Sequence, residues 1–421
     1  MYRLVVGSGA GYTWGMFSGR WKNVVPLIGF VLALTMRLWH LGTPPQIVSD
    51  EVSFVNDGWS YVTHQNYFDP HPPLGKLEIG LVMKFFGYHP VAWRMVDVVG
   101  GALIIPLLWW VTWRLTKRRV AANIAALLAL LDGLMLVDSR LGLINIPYVL
   151  ASLAAFACLL KAFDTSRAGR WLWFAGTLLG MALATKWLAV LVGIPMLILW
   201  AWPHVFGQKL QSRSQHDWVA GCFSLVIWPM VVYGLVFVIH YSWLGTPSTF
   251  FSTNLQMLNY HLSVPSIGDP NRQPWWGWLL AWRPFPYWTD VSSGRVSLIR
   301  SLPNPFIWWS GALLFLSSLV QGWRDGLGRL LNTLLLFAWI PFVFIHRIMY
   351  SYHALLFDVW LIVFVSVALG KLWDRHRRLV LTYLTLTLAV FIWFAPWYLN
   401  IPLSPHQQKL RQWLPGWGVQ L

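Results

Sequence analysis

The chain has 421 residues, of which 57% are hydrophobic and only 11% are charged, and its mean hydropathy is +0.54. Soluble domains carry about 25% charged residues, so this chain has too little charge to cover a water-facing surface, and it is too apolar to be disordered. The composition predicts a polytopic membrane protein, in which a net charge of +16 more often reflects cytoplasmic loops than a nucleic-acid partner.

Eleven apolar runs are long enough, or nearly so, to cross a hydrocarbon core of about 30 Å. Residues 1–22 hold no apolar core that ends in a small-residue cleavage site, so we expect the first run to stay as a membrane anchor. The fifth and sixth runs are short and are separated only by Lys186. The predicted spans are residues 24–41, 92–113, 119–137, 143–161, 171–186, 187–203, 219–241, 305–321, 329–346, 353–370 and 379–399.

The distribution of charge predicts the orientation of these spans. If the N-terminus lies in the cytoplasm, the inner segments hold 18 of the 31 basic residues and four of the 15 acidic residues. Positive charge concentrates in cytoplasmic loops, so we expect the C-terminus outside, with two long outer loops at residues 42–91 and 242–304. The inner basic residues are Arg3, Arg20, Lys22, Arg114, Lys117, Arg118, Arg119, Lys161, Arg167, Arg170, Lys209, Arg213, Arg324, Arg329, Lys371, Arg375, Arg377 and Arg378.

The first outer loop opens with two adjacent carboxylates, Asp50 and Glu51, directly after the first span. One interpretation is a helix N-terminus, where Ser49 or Asp50 caps and acidic residues suit the helix dipole. The other is catalysis, because a carboxylate fixed at a helix start near the lipid boundary is well placed to act as a general base. The two interpretations are compatible.

The same loop continues with a proline-rich turn at residues 69–73, Asp-Pro-His-Pro-Pro. Three prolines in four positions leave few free dihedral angles, so the turn should be stiff. We expect it to hold Asp69 near His71 and to present Lys76 on the following helix. This combination of acid, imidazole and ammonium indicates the wall of a site, although a simple surface turn would read the same.

Further ionisable residues fall inside the predicted spans or at their outer ends, where such groups are costly and are functional candidates by default. They are Arg94, Asp97, Asp132, Asp138, Arg140, Lys186, Arg347 and His353. The second outer loop is instead rich in tryptophan, which favours an interfacial aromatic belt over stacking on a sugar or a lipid headgroup.

Carboxylates together with several Arg and Lys residues at the outer leaflet suit a phosphate-bearing substrate, because guanidinium groups bind phosphate through a planar donor fork. A phosphate beside a carboxylate base and facing lipid suggests group transfer from a polyprenyl phosphate. The sequence contains no P-loop, no dinucleotide glycine motif and no HExxH motif. We expect no cofactor; a divalent metal is possible, but the Asp, Glu and His spacing is not a ligand signature.

Several motifs resemble those of the protein O-mannosyltransferases, membrane glycosyltransferases of the GT-C fold that use polyprenyl-phosphate mannose. The proline turn combined with the Asp-Glu pair is the most specific of them. In chain order the similar stretches are Asp50-Glu51, residues 68–76, Trp93-Arg94 with Gly100, Gly101 and Pro106, Leu131-Asp132, Ser139-Arg140, Lys186-Trp187, residues 304–309, and Arg347 with Tyr352-His353.

The resemblance implies an all-α polytopic protein with the GT-C fold, about eleven transmembrane helices, the N-terminus inside and the C-terminus outside. It also implies roles for individual residues. Asp50 would take the proton from the acceptor hydroxyl, Glu51 and Asp69 would shape the acceptor and sugar sites, and Arg94 would hold the donor phosphate. The family reacts by single displacement with inversion at the anomeric carbon. His71, Lys76, Arg140, Lys186, Arg347 and His353 complete the expected substrate-binding set.

Two departures from the family pattern stand out. After Ser139-Arg140 the family usually has an aspartate in the next helix, where this chain has Asn145. Residues 242–304 are too few for the external β-trefoil domain of eukaryotic members, so we expect a compact bacterial-type member that forms a single transmembrane domain over residues 1–421.

The reading that follows is an inverting transferase that moves mannose from a polyprenyl-phosphate donor to Ser and Thr hydroxyls of exported proteins. The protein would lie in the cell (inner) membrane, with its active site facing the periplasm or the cell exterior. We expect no nucleic-acid partner. An alternative keeps the fold but changes the acceptor to a glycolipid or cell-wall component. A third, a transporter, fits less well, because transporters show repeats and broken helices that meet at the midplane.

Overall fold

The computed structural model of the protein describes residues 24–208, 215–245, 249–264, 268–321 and 325–418. The predicted anchor boundary at residues 1–22 lies outside the described residues. The same holds for some of the predicted inner basic residues, namely Arg3, Arg20, Lys22, Lys209, Arg213 and Arg324.

Helices dominate the described part of the chain, and α7 packs at their centre against α4 and α8. The helices are α1 Val24–Leu38, α2 Glu51–Thr63, α3 Leu74–Phe86, α4 Pro90–Thr116, α5 Arg119–Leu130, α6 Gly133–Asp138, α7 Asn145–Phe163, α8 Ala168–Thr185, α9 Val190–Ala201, α10 Gln215–Cys222, α11 Trp228–Leu244, α12 Phe250–Ser263, α13 Pro305–Gln321, α14 Gly326–Trp339, α15 Leu355–Tyr398 and α16 Pro405–Lys409.

Each of the eleven predicted apolar runs contains helix. Within the described ranges, five helical stretches are both long and apolar enough to cross a membrane, and shorter apolar helices accompany them. The five are Pro90–Thr116, Asn145–Phe163, Trp218–Leu244, Gly326–Phe344 and Ser351–Tyr398. The shorter ones are Val24–Leu38, Arg119–Leu130, Trp187–Ala201 and Pro305–Gln321.

The last two predicted spans differ from the structure in how they are joined. The basic segment between them is helical except at His376, whose non-helical backbone (φ −134°, ψ 45°) kinks α15 and divides it into two helices. Neither glycine nor proline occurs from residue 371 to residue 395, so no helix-breaking residue marks this kink in the sequence.

The prediction of an all-α protein is wrong for part of the second outer loop. Strands β1 (Phe285–Ser292) and β2 (Arg295–Ser301) form an antiparallel hairpin with a register irregularity between Pro286 and Trp288. Ser293 and Gly294 connect the strands with φ angles of 53° and 72°. Positive φ at both central residues is typical of a tight hairpin turn, so the Ser-Gly pair was a signal available in the sequence.

Helices α2 and α3, α12 and the hairpin lie at one end of the bundle, which we call the loop face. Here α2 crosses α3 so closely that a Cβ on Gly80 would come within 2.3 Å of the Gly58 carbonyl oxygen. Helix α3 also packs on α4 and α8. The first outer loop is therefore fixed to the bundle, and the side chains that it presents have defined positions.

Candidate active site

The two adjacent carboxylates of the first loop occupy different environments. Asp50 stands at the N-cap position of α2, but its side chain makes no capping hydrogen bond. It instead accepts a hydrogen bond from the Tyr352 hydroxyl and feels the charge of Lys186. Burial raises the pKa of Asp50 above its ordinary value, while Tyr352 and Lys186 oppose that rise. A half-buried carboxylate that forms no capping hydrogen bond and accepts only from a tyrosine hydroxyl is suited to proton transfer.

Glu51 is fully buried, and both of its carboxylate oxygens accept hydrogen bonds. Its Oε1 accepts from Arg94 Nε at 2.8 Å, from the Gly142 amide at 2.7 Å and from Trp93 Nε1 at 3.3 Å. Its Oε2 accepts from Arg94 Nη2 and from the Val48 amide, both at 3.0 Å. Glu51 thus connects the start of α2 to α4 and to the segment before α7.

Arg94 is equally occupied. Besides Glu51, it donates from Nη1 to the carbonyl oxygens of Leu41 and Pro44 at 2.8 and 3.0 Å, and from Nη2 to that of Gln46 at 3.4 Å. A guanidinium group has five N–H donors, and all five of them have acceptors within the protein. Arg94 therefore has no free N–H group in this structure with which to bind the phosphate of the sugar donor, the role that the resemblance assigned to it.

The proline turn brings Asp69, His71 and Lys76 together as the sequence predicts. Asp69 Oδ1 accepts from Lys76 Nζ at 2.8 Å, from the His71 amide at 2.8 Å and from His71 Nδ1 at 3.1 Å. Lys76 Nζ also donates to the His71 carbonyl oxygen at 2.7 Å. Burial disfavours ionisation of Asp69, but Lys76 and His71 outweigh it and hold the pKa of Asp69 below its ordinary value.

Two histidines beside this turn are held neutral. Burial lowers the pKa of His71, and burial with the nearby Arg347 lowers that of His261 to about 4. Arg347 donates to His261 Nδ1, so the proton of His261 resides on Nε2, which donates to the Pro70 carbonyl oxygen at 2.9 Å. Helix α12 is thereby joined to the proline turn.

Lys186 follows the last residue of α8, and its ammonium enters the site. It donates to Asn145 Oδ1 at 2.7 Å and lies over the rings of Tyr148 and Tyr352, at 5.7 and 5.5 Å from their centroids. Asn145 Nδ2 in turn donates to Asp138 Oδ1 at 2.9 Å. The carboxyl group that the family usually has at position 145 is therefore supplied nearby by Asp138.

The β-hairpin completes the environment of Asp138. The Tyr287 hydroxyl donates to Asp138 Oδ1 at 3.1 Å and the Ser301 hydroxyl to Oδ2 at 3.3 Å. Sequence reasoning missed Tyr287, Ser301 and His261 as parts of the site. The Ser-Gly turn could have revealed the hairpin, but no motif pointed to His261.

A cavity of about 490 Å³ opens beside these groups. One part of its wall is polar, formed by Lys186 and Arg347 with four histidines, and the rest is apolar. The polar wall consists of His71, Lys186, His261, His346, Arg347 and His353. Apolar lining residues include Leu188 and Leu191 near α9, Leu258 and Leu262 on α12, and Phe344.

Two predicted binding residues have different surroundings. His353 lines the cavity; its Nδ1 accepts from the Tyr350 amide at 3.1 Å, and its ring stacks on that of Tyr352. Arg140 instead donates from Nη1 to the carbonyl oxygens of residues 36, 37 and 39 at the end of α1. This interaction satisfies the free carbonyls of a helix C-terminus.

Across the described ranges, no three His, Cys, Asp or Glu side chains are grouped as metal ligands would be. The side chains of the site combine a carboxylate at Asp50, the cations Lys186 and Arg347, and neutral imidazoles, next to a cavity with an apolar side.

Comparison with known proteins agrees with this geometry. Residues 27–93 and 90–244 match the sequence profile of a family described as dolichyl-phosphate-mannose-protein mannosyltransferase. The chain is 25% identical to the polyprenol-phosphate-mannose–protein mannosyltransferase of Mycolicibacterium smegmatis, over 92% of this chain and 91% of that protein. It is 26% identical to the Saccharomyces cerevisiae dolichyl-phosphate-mannose–protein mannosyltransferase 3, over 59% of this chain and 36% of the relative.

Solved structures share the fold. The S. cerevisiae protein O-mannosyltransferase Pmt1–Pmt2 complex bound to the sugar donor has a TM-score of 0.81 at 14% identity, covering 96% of this chain and 94% of that one. ArnT from Cupriavidus metallidurans bound to undecaprenyl phosphate has a TM-score of 0.59 at 16% identity, with coverages of 89% and 64%. These likenesses confirm a mainly helical, GT-C-like architecture.

Proposed function

The chain belongs to the dolichyl-phosphate-mannose-protein mannosyltransferase family, and on that premise we propose that it moves mannose from a polyprenyl phosphate onto Ser and Thr hydroxyls of proteins. Bacterial relatives named polyprenol-phosphate-mannose–protein mannosyltransferase match it over more than nine-tenths of its length. The observation that supports the proposal most strongly is the position of Asp50. Its carboxylate lies within electrostatic range of Lys186 and His71, both of which line a cavity that is cationic on one side and apolar on the other.

The reaction is a single displacement with inversion. The acceptor hydroxyl gives its proton to Asp50 while its oxygen forms a bond to the anomeric carbon of mannose. The bond from that carbon to the phosphate oxygen breaks, and polyprenyl phosphate leaves with the electron pair. The raised pKa of Asp50 strengthens it as a base, provided that the medium keeps it ionised.

The leaving phosphate accumulates negative charge as the bond breaks, so cations beside it lower the barrier. Lys186 and Arg347 are the cations that line the cavity in this structure, and we assign the phosphate to them. The apolar side chains of α9 and α12 then receive the first isoprene units. His71, whose Nδ1 faces Asp69, has its Nε2 available as an acceptor for a sugar hydroxyl.

The remaining predicted residues position the site. The buried Glu51–Arg94 ion pair fixes the start of α2 and thereby the backbone of Asp50. Lys76 holds the charge of Asp69 and the turn around it. Arg140 fixes the end of α1 next to Ser139 and the segment that leads to Asn145.

The finer features of the predicted topology fit the same picture. We propose eleven membrane spans, the N-terminus in the cytoplasm, and the loop face on the outer side of the cell membrane. The excess of basic residues in the short connections opposite the loop face supports this orientation. It also brings the site to the surface where exported proteins emerge.

The test uses membranes that contain the full chain, together with polyprenyl-phosphate mannose labelled with ³H in the sugar. After the reaction, protein products are separated from lipid products. We expect label in protein, released as mannose by β-elimination. Before release, digestion of the intact glycopeptide with an α- or a β-specific mannosidase should show the anomeric configuration opposite to that of the donor. Membranes with Asp50→Asn serve as the control. Label found only in lipid would overturn the protein-acceptor assignment in favour of a glycolipid acceptor.

A further inference from the structure

A second, larger cavity lies on the other side of α3. It is a groove of about 860 Å³ between α3, α4, α7 and α8. Along α4 its lining runs from Met95 to Trp110, which corresponds to about 22 Å of helix at 1.5 Å per residue. This exceeds the half-thickness of a hydrocarbon core, about 15 Å. Small side chains on α7, Ala151 and Ala154, make room in its wall.

The groove is separate from the catalytic cavity. No residue lines both of them. Lys76 and Glu78 are two positions apart on α3, which turns their side chains to nearly opposite faces of the helix. The face with Lys76 meets the proline turn, and the face with Glu78 meets the groove.

Among the residues that the structure describes, Glu78 is the one charged residue that lines the groove, and it lies on α3, a helix of the loop face. Its Oε2 is buried and has no hydrogen-bond partner among the described residues. Burial raises its pKa to about 7. The carboxyl of Asp97, two turns into α4, is within electrostatic range, and its Oδ1 also lacks a partner in the described chain. Buried carboxyl oxygens of this kind need a donor.

We propose that this groove binds a phospholipid with a primary ammonium headgroup, such as phosphatidylethanolamine, with an acyl chain along α4 and the ammonium on Glu78. The groove supplies apolar surface for the acyl chain over the depth of one leaflet, and Glu78 lies where the lipid headgroup would be. An ammonium brings three N–H donors, and its positive charge favours the ionised form of Glu78. The lipid thus satisfies the carboxyl that the protein leaves without a donor.

Other occupants fit the lining less well. A polyprenyl phosphate would place its anionic head against Glu78 and Asp97, and no Lys or Arg of the described ranges lines the groove there. A transmembrane helix from a second copy would fill the apolar part, but would need a polar donor at the depth of Glu78.

The experiment is native mass spectrometry of the full chain in detergent, titrated with phosphatidylethanolamine or with phosphatidylcholine of the same acyl chains. The choline headgroup has no N–H donor, so the two lipids differ in whether the headgroup can donate a hydrogen bond to Glu78. We expect phosphatidylethanolamine to bind about tenfold more tightly, the effect of one charge-assisted hydrogen bond. Glu78→Gln should bring the two affinities within about threefold. Equal affinities in the wild-type chain, or a preference that survives Glu78→Gln, would overturn the headgroup assignment.

A second variant tests the groove itself. Ala154→Trp places a large side chain in the wall and should weaken phosphatidylethanolamine binding at least tenfold, whereas Leu313→Trp, at a 68% exposed position of α13, should not change it. Binding that persists in Ala154→Trp would place the lipid elsewhere. Displacement of phosphatidylethanolamine by added polyprenyl phosphate would assign the groove to the donor instead. If Ala154→Trp does not yield monodisperse protein, the comparison with Glu78→Gln decides alone.

Discussion

Replacement of Arg94 by alanine should lower the thermal stability of the protein and have only a secondary effect on its affinity for the sugar donor. Both side chains of the Glu51–Arg94 pair are 0% exposed. The variant would leave the Glu51 carboxylate buried without its cation, and would remove the guanidinium donors that bind three carbonyl oxygens after α1. Breaking one side of a buried ion pair costs about 3–5 kcal/mol, so we expect Tm to fall by about 5 °C or more.

The assay is thermal unfolding of the purified chain in detergent, with donor affinity measured below the transition in the same preparation. The reasoning predicts a large loss in Tm and a donor affinity within about threefold of wild type for the molecules that remain folded. An unchanged Tm with donor affinity reduced at least tenfold would refute it and restore the phosphate role that the sequence suggested for Arg94.

A double variant separates charge from packing. Arg94→Gln alone leaves the buried carboxylate unpaired, whereas Glu51→Gln with Arg94→Gln leaves two neutral amides that can bond to each other. The double variant should therefore be more stable than Arg94→Gln. If the two losses in stability simply add, the pair does not interact as the structure indicates.

Three further variants probe the surroundings of the site. Tyr352→Phe removes a hydrogen bond that lowers the pKa of Asp50, so the acid limb of the pH profile of kcat/KM should move to higher pH. The lowered pKa of Asp69 contributes stability above pH 3.8, and this stability is lost as the pH falls through the lower pKa of the folded state. Lys76→Met removes the charge that opposes the effect of burial, so the pKa of Asp69 in the folded state should rise and acid unfolding should begin at higher pH. Gly80→Ala puts a methyl group 2.3 Å from a carbonyl oxygen of α2 and should cost about 1–3 kcal/mol of stability, measured as Tm.

The outcomes that would contradict these predictions are distinct. An acid limb that stays in place in Tyr352→Phe would show that the hydroxyl does not act on Asp50. Superimposable acid-unfolding curves would remove the role of Lys76 in holding Asp69. Gly169→Ala is the control for Gly80→Ala, because a Cβ at Gly169 meets nothing within 4 Å; equal effects of the two would show that the α2–α3 crossing is not tight.

The parts of the site that depend on local sequence could be predicted. The proline turn fixes its own geometry, so the proximity of Asp69, His71 and Lys76 followed from residues 69–76 alone. The apolar runs likewise located helices, because a membrane core requires about 20 apolar residues in succession whatever the tertiary structure.

What could not be predicted depends on contacts between distant segments. Asp50 and Glu51 are neighbours of the same charge. Only the fold shows that Glu51 accepts hydrogen bonds from Arg94, Trp93 and Gly142, whereas Asp50 faces Tyr352 and Lys186. The contact of His261 with Pro70 joins residues 191 positions apart, and no local pattern encodes such a pairing. The bend at His376 was missed because two spans with basic residues between them normally indicate a loop.

The measurement that tests the central claim most directly is mannose transfer by Asp50→Asn, which keeps the shape of the side chain and removes the base. A general base contributes roughly 10²–10⁴-fold to rate, so we expect kcat to fall at least 100-fold, with Tm and donor affinity close to wild type. Asp290→Asn, which changes a carboxyl in the hairpin outside the site, should transfer normally. Wild-type kcat in Asp50→Asn would contradict the assignment of Asp50 as the base.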